Sequence, residues 1–313
     1  MSDQVSRRRR AAPAALLLLA PLLVALALVP AASAPIAAAP ALPAGARGLW
    51  PGESVTVRGT RSVVVGRATP TAPAPTAPAP TAPASAVSAS AVSAAPASSA
   101  APVSLAELAR LADTAALRVG TVLGEPVRPL VVVPASAAEA ARLAGTGPID
   151  GLAALADGDR VLVVPEVFAR LNPTGRDVVL AHELTHIAAG TDRLPVWLYE
   201  GFADYVGYRD SGLPVRTAAA ELADEVRAGR LPAELPGPAA FAADGSDPAG
   251  LARAYQEAWL ACRFLADRFG EGTLVRLYRE ARVDGADRAL AGLGLSTATL
   301  TARWRAYVRE QLA

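Results

Sequence analysis

Residues 70–103 can contribute nothing to a folded core. They comprise 14 Ala, 8 Pro, 6 Ser, 3 Thr and 3 Val, with no charge and no aromatic ring, so they offer too little apolar surface to offset the entropy of ordering them. Thr71-Ala72-Pro73-Ala74-Pro75 repeats at once as Thr76-Ala77-Pro78-Ala79-Pro80. The Pro content predicts an extended, semi-rigid spacer, and an unselected low-complexity insert is the plainer reading of the same residues. Ser and Thr beside Pro could accept sugars outside the cell. The stretch separates a short N-terminal part from residues 104–313, which are numerous enough for one globular domain.

The N-terminus has the pattern of an export signal. Arg7, Arg8, Arg9 and Arg10 precede an uncharged run over residues 11–46, whose Leu-rich centre contains Pro21. A basic segment ahead of an apolar core directs export, with the basic residues kept on the cytoplasmic side. Ala32-Ser33-Ala34 offers a cleavage site, although Pro35 follows it, and residues 11–34 are also long enough to span a bilayer. Residues 1–34 are therefore expected to be a signal peptide or a retained membrane anchor, and both readings put the remainder outside the cytoplasm, secreted or at the cell surface. The membrane is expected to be touched only through this segment. Residues 35–69 hold a short β-like piece. Ser54-Val55-Thr56-Val57 and Ser62-Val63-Val64-Val65 flank Arg58-Gly59-Thr60-Arg61, which predicts a hairpin that either joins the main domain or stands alone.

Charge and cysteine content narrow the functional class. The net charge of +1 hides an imbalance, with residues 1–103 carrying +6 and residues 104–313 carrying −5. An acidic folded part without a basic, aromatic-interleaved patch argues against a nucleic-acid partner. A single cysteine, Cys262, rules out an internal disulfide framework and a multi-cysteine zinc site. All 30 basic residues are Arg. That bias resembles GC-rich coding, and it weakens any inference from the many Ala residues.

Within 104–313 the pattern is α+β. Leu105, Leu108, Leu111, Ala115 and Leu117 have helical spacing, with Ser104 as N-cap. Residues 129–133 form a β-branched run, residues 136–143 a helix, and residues 160–164 a second strand ended by Pro165. From Thr174 onward nearly everything reads as helix. Few strands first and many helices after predict a small N-terminal sheet and a helical C-terminal lobe.

The chemistry concentrates at His182-Glu183-Leu184-Thr185-His186. Thr174 and Asp177 resemble a capping box at the start of a helix, and Gly190 is placed to end it. One helical turn separates His182 from His186, so both imidazoles share a face and can hold one Zn²⁺. Glu183 is rotated to the flank of that face, where it reaches a water on the metal rather than the metal itself, as a general base. These are the only two histidines in 313 residues, which makes a chance coincidence of this spacing rare. A hydrolytic zinc site needs a third protein ligand, and with no third His and Cys262 remote in sequence, a carboxylate is expected. Pro195-Val196-Trp197-Leu198-Tyr199-Glu200-Gly201-Phe202-Ala203-Asp204-Tyr205 predicts a second helix that supplies one. Glu200 can complete the set. Asp204, four residues on, can accept a hydrogen bond from the free ring N–H of a ligand histidine. Gly201 beside the ligand allows close helix packing.

Together, H-E-L-T-H and, ten residues later, W-L-Y-E-G-F-A-D-Y resemble the peptidase MA-like family of gluzincin zinc metallopeptidases. The family pattern W-L-x-E-G-x-A-x-Y falls on Trp197, Leu198, Glu200, Gly201, Ala203 and Tyr205. Residues 254–270 also resemble the family's later helix, which ends in L-x-x-x-F/Y-G. The resemblance implies a zincin-like fold over 104–313, one Zn²⁺ held by His182, His186 and Glu200, Glu183 as catalytic base, and peptide or protein as substrate. It also implies a tyrosine that steadies the oxyanion. Tyr255 is the best-placed candidate, a packed core tyrosine being the other reading of that residue. By family analogy the strand at 160–164 is the edge along which a peptide adds. The G-x-M-E-N sequence of aminopeptidase relatives is absent, so exopeptidase action is not indicated. Two alternatives fit the same residues: a zinc-bearing surface module that cleaves nothing, and a hydrolase of a non-peptide amide.

Overall fold

Alternating valines on either side of a Gly-containing turn form the expected hairpin. In the computed structural model, β1 (Ser54–Arg58) pairs antiparallel with β2 (Val63–Arg67), Ser54 standing opposite Arg67 and Arg58 opposite Val63. The structure describes residues 43–46, 48–50, 53–67, 103–147, 149, 151–242 and 247–313. Residues 1–34, expected to be a signal or anchor, and the Pro-rich stretch up to residue 102 lie outside the described residues.

The hairpin does not stand alone. β2 runs parallel to β3 (Leu130–Val133), Val63 opposite Leu130, and the five-stranded order is β1-β2-β3-β5-β4. β4 (Ala154–Asp157) and β5 (Arg160–Val163) pair antiparallel, while β3 and β5 pair parallel. Helix α1 (Leu105–Leu123) locks the hairpin down. The Asp113 carboxylate accepts the backbone N–H groups of Thr60, Arg61 and Ser62 at 2.6, 2.8 and 2.9 Å, and the Ser62 hydroxyl donates to Ala109 O. These strands and the helices belong to one compact unit, Leu42–Ala313.

A Cβ added at Gly66 would lie 2.9 Å from Leu105 Cδ2. β2 and α1 therefore pack directly on each other.

Two expectations about strands and caps are corrected. The strand at 160–163 is interior, because β4 covers its outer side. β4 escapes a propensity reading because Ala154-Leu155-Ala156-Asp157 contains no β-branched residue; its turn, with Gly158 at φ 59°, is what folds it back. Thr174 and Asp177 do not form a capping box. Pro173 takes the first helical position of α4 (Pro173–Ala189) and Asn172 is the N-cap, its side chain accepting the Gly175 N–H at 2.8 Å. Asp177 is drawn away by the buried Arg118 guanidinium at 2.5 Å.

The alternation along each strand feeds two cores. Val64, Val131, Val161 and Val163 face α1 and α4 in the main core, while Val65, Leu130, Val132 and Leu162 face Ala46 and Trp50. α2 (Ala137–Ala144) carries Glu139, which accepts the Trp50 indole N–H at 3.1 Å and ties the N-terminal segment to the sheet. After the single turn α3 (Pro165–Phe168) the chain is helical: α4, α5 (Val196–Tyr208), α6 (Val215–Ala218), α7 (Ala220–Arg227), α8 (Pro248–Phe269), α9 (Glu271–Asp284), α10 (Ala286–Ala291) and α11 (Thr297–Leu312). The architecture is α+β, with the sheet drawn from the N-terminal part and the helical lobe following it. No helix among the described residues is long and apolar enough to cross a membrane.

Candidate metal centre

α4 runs through the interior, because Val178, Val179, Leu180, Ala181 and Leu184 are buried around it. His182 and Glu183 are therefore carried into the core, 2% and 6% exposed. Pro195 ends the short connection from α4 at the N-cap position of α5, and that helix brings Glu200 and Asp204 to the same place.

Three donor atoms converge there. His182 Nε2 and His186 Nε2 are 2.9 Å apart, and Glu200 Oε2 lies 3.2 Å from the first and 3.4 Å from the second. Asp204, fully buried, has Oδ1 2.8 Å from His182 Nδ1. That contact assigns the ring proton to Nδ1 and turns the Nε2 lone pair toward His186 and Glu200. Glu200 Oε2 is within ion-pair reach of both rings, yet it is buried and makes no hydrogen bond. Three polar atoms packed this closely in the interior need a shared proton or a cation among them.

Without a cation, a proton on His182 fills that role. Burial opposes charge on His182, but its hydrogen bond to Asp204 and the fields of Asp204, Glu200 and Glu183 prevail and hold its pKa well above the ordinary imidazole value. Burial also opposes charge on Glu200, and the two imidazoles overcome it, pulling the carboxyl down to about 2. The group His182, His186 and Glu200 can hold a metal ion, with donor atoms within 4.8 Å of one another among the described residues. A point roughly 2.0–2.1 Å from all three atoms, the bond length zinc prefers, lies just off their plane. The donor set thus fits one cation with one carboxylate and two imidazole ligands.

Glu183 stays outside this triangle. Its Oε2 accepts the Ala156 N–H of β4 at 2.8 Å, which pins the side chain against the sheet edge. Burial raises its pKa, and the nearby imidazoles only partly offset that; a raised carboxyl suits a group that must take up a proton. His182, Glu183, His186 and Glu200 line a cleft of about 310 Å³, with Leu152, Leu155 and Ala156 on the sheet side and Tyr199, Thr191 and Tyr255 on the helical side. The Tyr255 ring sits 6.2 Å from the His182 ring and packs edge-on against Phe241. The Tyr199 ring stands 5.9 Å from His186. Spacing alone did not single out Tyr199, the Ala156 amide or Thr191. Tyr199 could have been found as the neighbour of Glu200 on the cleft side of α5, whereas the amide and Thr191 leave no pattern in a sequence.

Gly201 is a steric requirement of the centre. A Cβ there would lie 2.2 Å from Ala258 O and 2.5 Å from Ala258 C, both main-chain atoms of α8. Only glycine lets α5 and α8 meet so closely, and that contact sets Tyr255 opposite Glu200. Gly201→Ala is expected to cost about 2–3 kcal/mol of stability and to weaken retention of a metal by the donor set. Denaturant unfolding and chelator competition measure the two effects; wild-type values for both would refute the steric account.

Comparison of this chain with protein-family models, with curated proteins and with solved structures finds no match.

Proposed function

We propose that the protein is a zinc-dependent hydrolase of peptide bonds, exported or tethered at the cell surface, with a gluzincin-like site. The observation that carries this reading is the convergence of His182 Nε2, His186 Nε2 and Glu200 Oε2 with an unligated carboxylate, Glu183, immediately beside them. Zinc bound to such a set supplies Lewis acidity, lowering the pKa of water toward about 7 and polarising a carbonyl.

The chain's own groups account for the remaining work. Asp204 fixes the tautomer of His182 through Nδ1. Glu183, held through Oε2 by the Ala156 amide, keeps Oε1 available to take a proton from the attacking water and return it to the leaving amine. Tyr255 is the candidate to steady the developing oxyanion. β4 rather than β5 is the free edge. Ala156 turns its N–H outward to Glu183, and by the alternation of an antiparallel ladder Ala154 presents its N–H and C=O on the same outer side. An extended peptide can add there as a further strand, beside the candidate metal and base.

Zinc analysis and a panel of internally quenched peptides, applied to the full-length protein, test this reading. One zinc ion per chain and cleavage of internal bonds are expected. Tight zinc without cleavage of any peptide or amide would replace the hydrolase reading with that of a binding module. Cleavage of amides but no peptides would move the substrate to the non-peptide class. Protein that takes up no zinc under replete conditions would overturn the metal reading altogether.

A further inference from the structure

We propose that Tyr278 and Arg282, one turn apart on α9, are positioning residues for the metal centre that fix the last turn of α4 and with it His186. The inference rests on the metal reading above and deepens it.

The two ligand histidines are supported differently. His182 has Asp204 on its Nδ1 at 2.8 Å. His186 has nothing comparable, because its Nδ1 is buried without a hydrogen-bond partner. Its ring position is set by packing against the Tyr199 ring, 5.9 Å away, and by the course of its main chain. That main chain lies in the final turn of α4, which ends at Ala189. The last carbonyls of a helix have no partners of their own within it, so a final turn frays unless something outside caps it.

α9 provides the cap. Arg282 Nη1 donates to Ala189 O at 2.6 Å, and the Tyr278 hydroxyl donates to Gly190 O at 2.5 Å. The guanidinium lies close over the turn: a Cβ at Gly190 would come within 2.5 Å of Arg282 Nη2 and 2.7 Å of its Cζ. Gly190 has φ 69°, a left-handed conformation that glycine adopts freely. A positive charge at a helix C-terminus is also favoured by the helix dipole. Arg282 Nη2 pairs with Asp192 at 3.2 Å, holding the start of the connection to α5.

Tyr278 reaches the second ligand helix as well. Its ring packs 4.4 Å from the Phe202 ring, and Phe202 is buried on α5 two residues after Glu200. The hydroxyl thus holds the end of one ligand helix while the ring supports the other. A residue needed only for packing would serve as well as phenylalanine. The hydroxyl directed at a main-chain carbonyl is what marks a role in position.

Tyr278→Phe and Arg282→Gln in the full-length protein test the proposal. Each is expected to raise the zinc dissociation constant roughly tenfold, the scale typical of groups that hold metal ligands in place. Each should also change the absorption spectrum of the cobalt-substituted protein and speed amide hydrogen exchange at residues 186–190. Arg282→Lys, which keeps a donor, should recover part of the affinity. Trp304→Phe, in the buried core of α11, serves as the control. It should lower stability without moving the zinc affinity, the cobalt spectrum or exchange at 186–190. Wild-type zinc affinity and exchange in both α9 variants would overturn the proposal. A wild-type chain that binds no zinc would overturn the metal reading instead, and exchange in the metal-free protein would still decide whether α9 clamps the turn.

Discussion

Glu183→Gln is expected to leave one zinc ion per chain in place and to lower peptide hydrolysis by about 10²–10⁴-fold, the usual worth of a positioned general base. Glutamine has the same shape as glutamate, and its amide oxygen can still accept the Ala156 N–H that Oε2 now receives at 2.8 Å. The side chain should therefore stay pinned to β4, and none of the three converging donor atoms is touched. What the variant loses is the ability to take a proton. Burial raises the carboxyl's pKa, which favours proton uptake, and an amide has no such equilibrium. Zinc content by elemental analysis, read beside turnover of the best peptide, separates this result from simple unfolding. Unchanged turnover with zinc bound would remove Glu183 from the mechanism. Loss of zinc would mean that the carboxylate serves the metal rather than the proton.

The parts of the site that were legible in the sequence are those written in local spacing. His182 and His186 share a face because four residues make about one helical turn, and Glu200 and Asp204 share theirs for the same reason. The Ser104 cap of α1 was legible because its side chain bonds only three residues away, to the Glu107 N–H. What spacing could not show is pairing across the chain. The hairpin joins the sheet through β3, whose partner residues lie 67 positions further on, Leu130 opposite Val63, and no periodicity in either strand names the other. β4 was hidden by its alanines, which have low strand preference but fit an edge where small side chains leave the cleft open. The Asn172 cap was displaced in the reading by Thr174, a good capping residue that Pro173 moves inside the helix. Arg282 and Tyr278 touch α4 from about ninety residues away, through donors to main-chain carbonyls that carry no residue identity at all.

Removing Glu200 should be the most severe single change. Among the described residues its Oε2 is the carboxylate oxygen set against both Nε2 atoms, at 3.2 and 3.4 Å, and it supplies negative charge directly to a cation held there. Zinc held by a full set of protein ligands gains on the order of 10–16 kcal/mol at neutral pH. Losing one ligand of three should then cost about 3 kcal/mol or more, a fall of at least ~10²-fold in affinity. Glu200→Ala is expected to release zinc to a chelator that the wild type resists and to take hydrolysis below detection. Glu200→His restores a donor of a type zinc accepts, so it should regain part of the binding, whereas Glu200→Gln, similar in size but a poor ligand, should not. That ordering distinguishes a lost ligand from a lost shape, because all three replacements alter the same position of α5 while only histidine restores a metal donor. If Glu200→Ala held zinc as firmly as the wild type, the carboxylate would be a neighbour of the metal and not a ligand, and two imidazoles alone could not sustain a hydrolytic site.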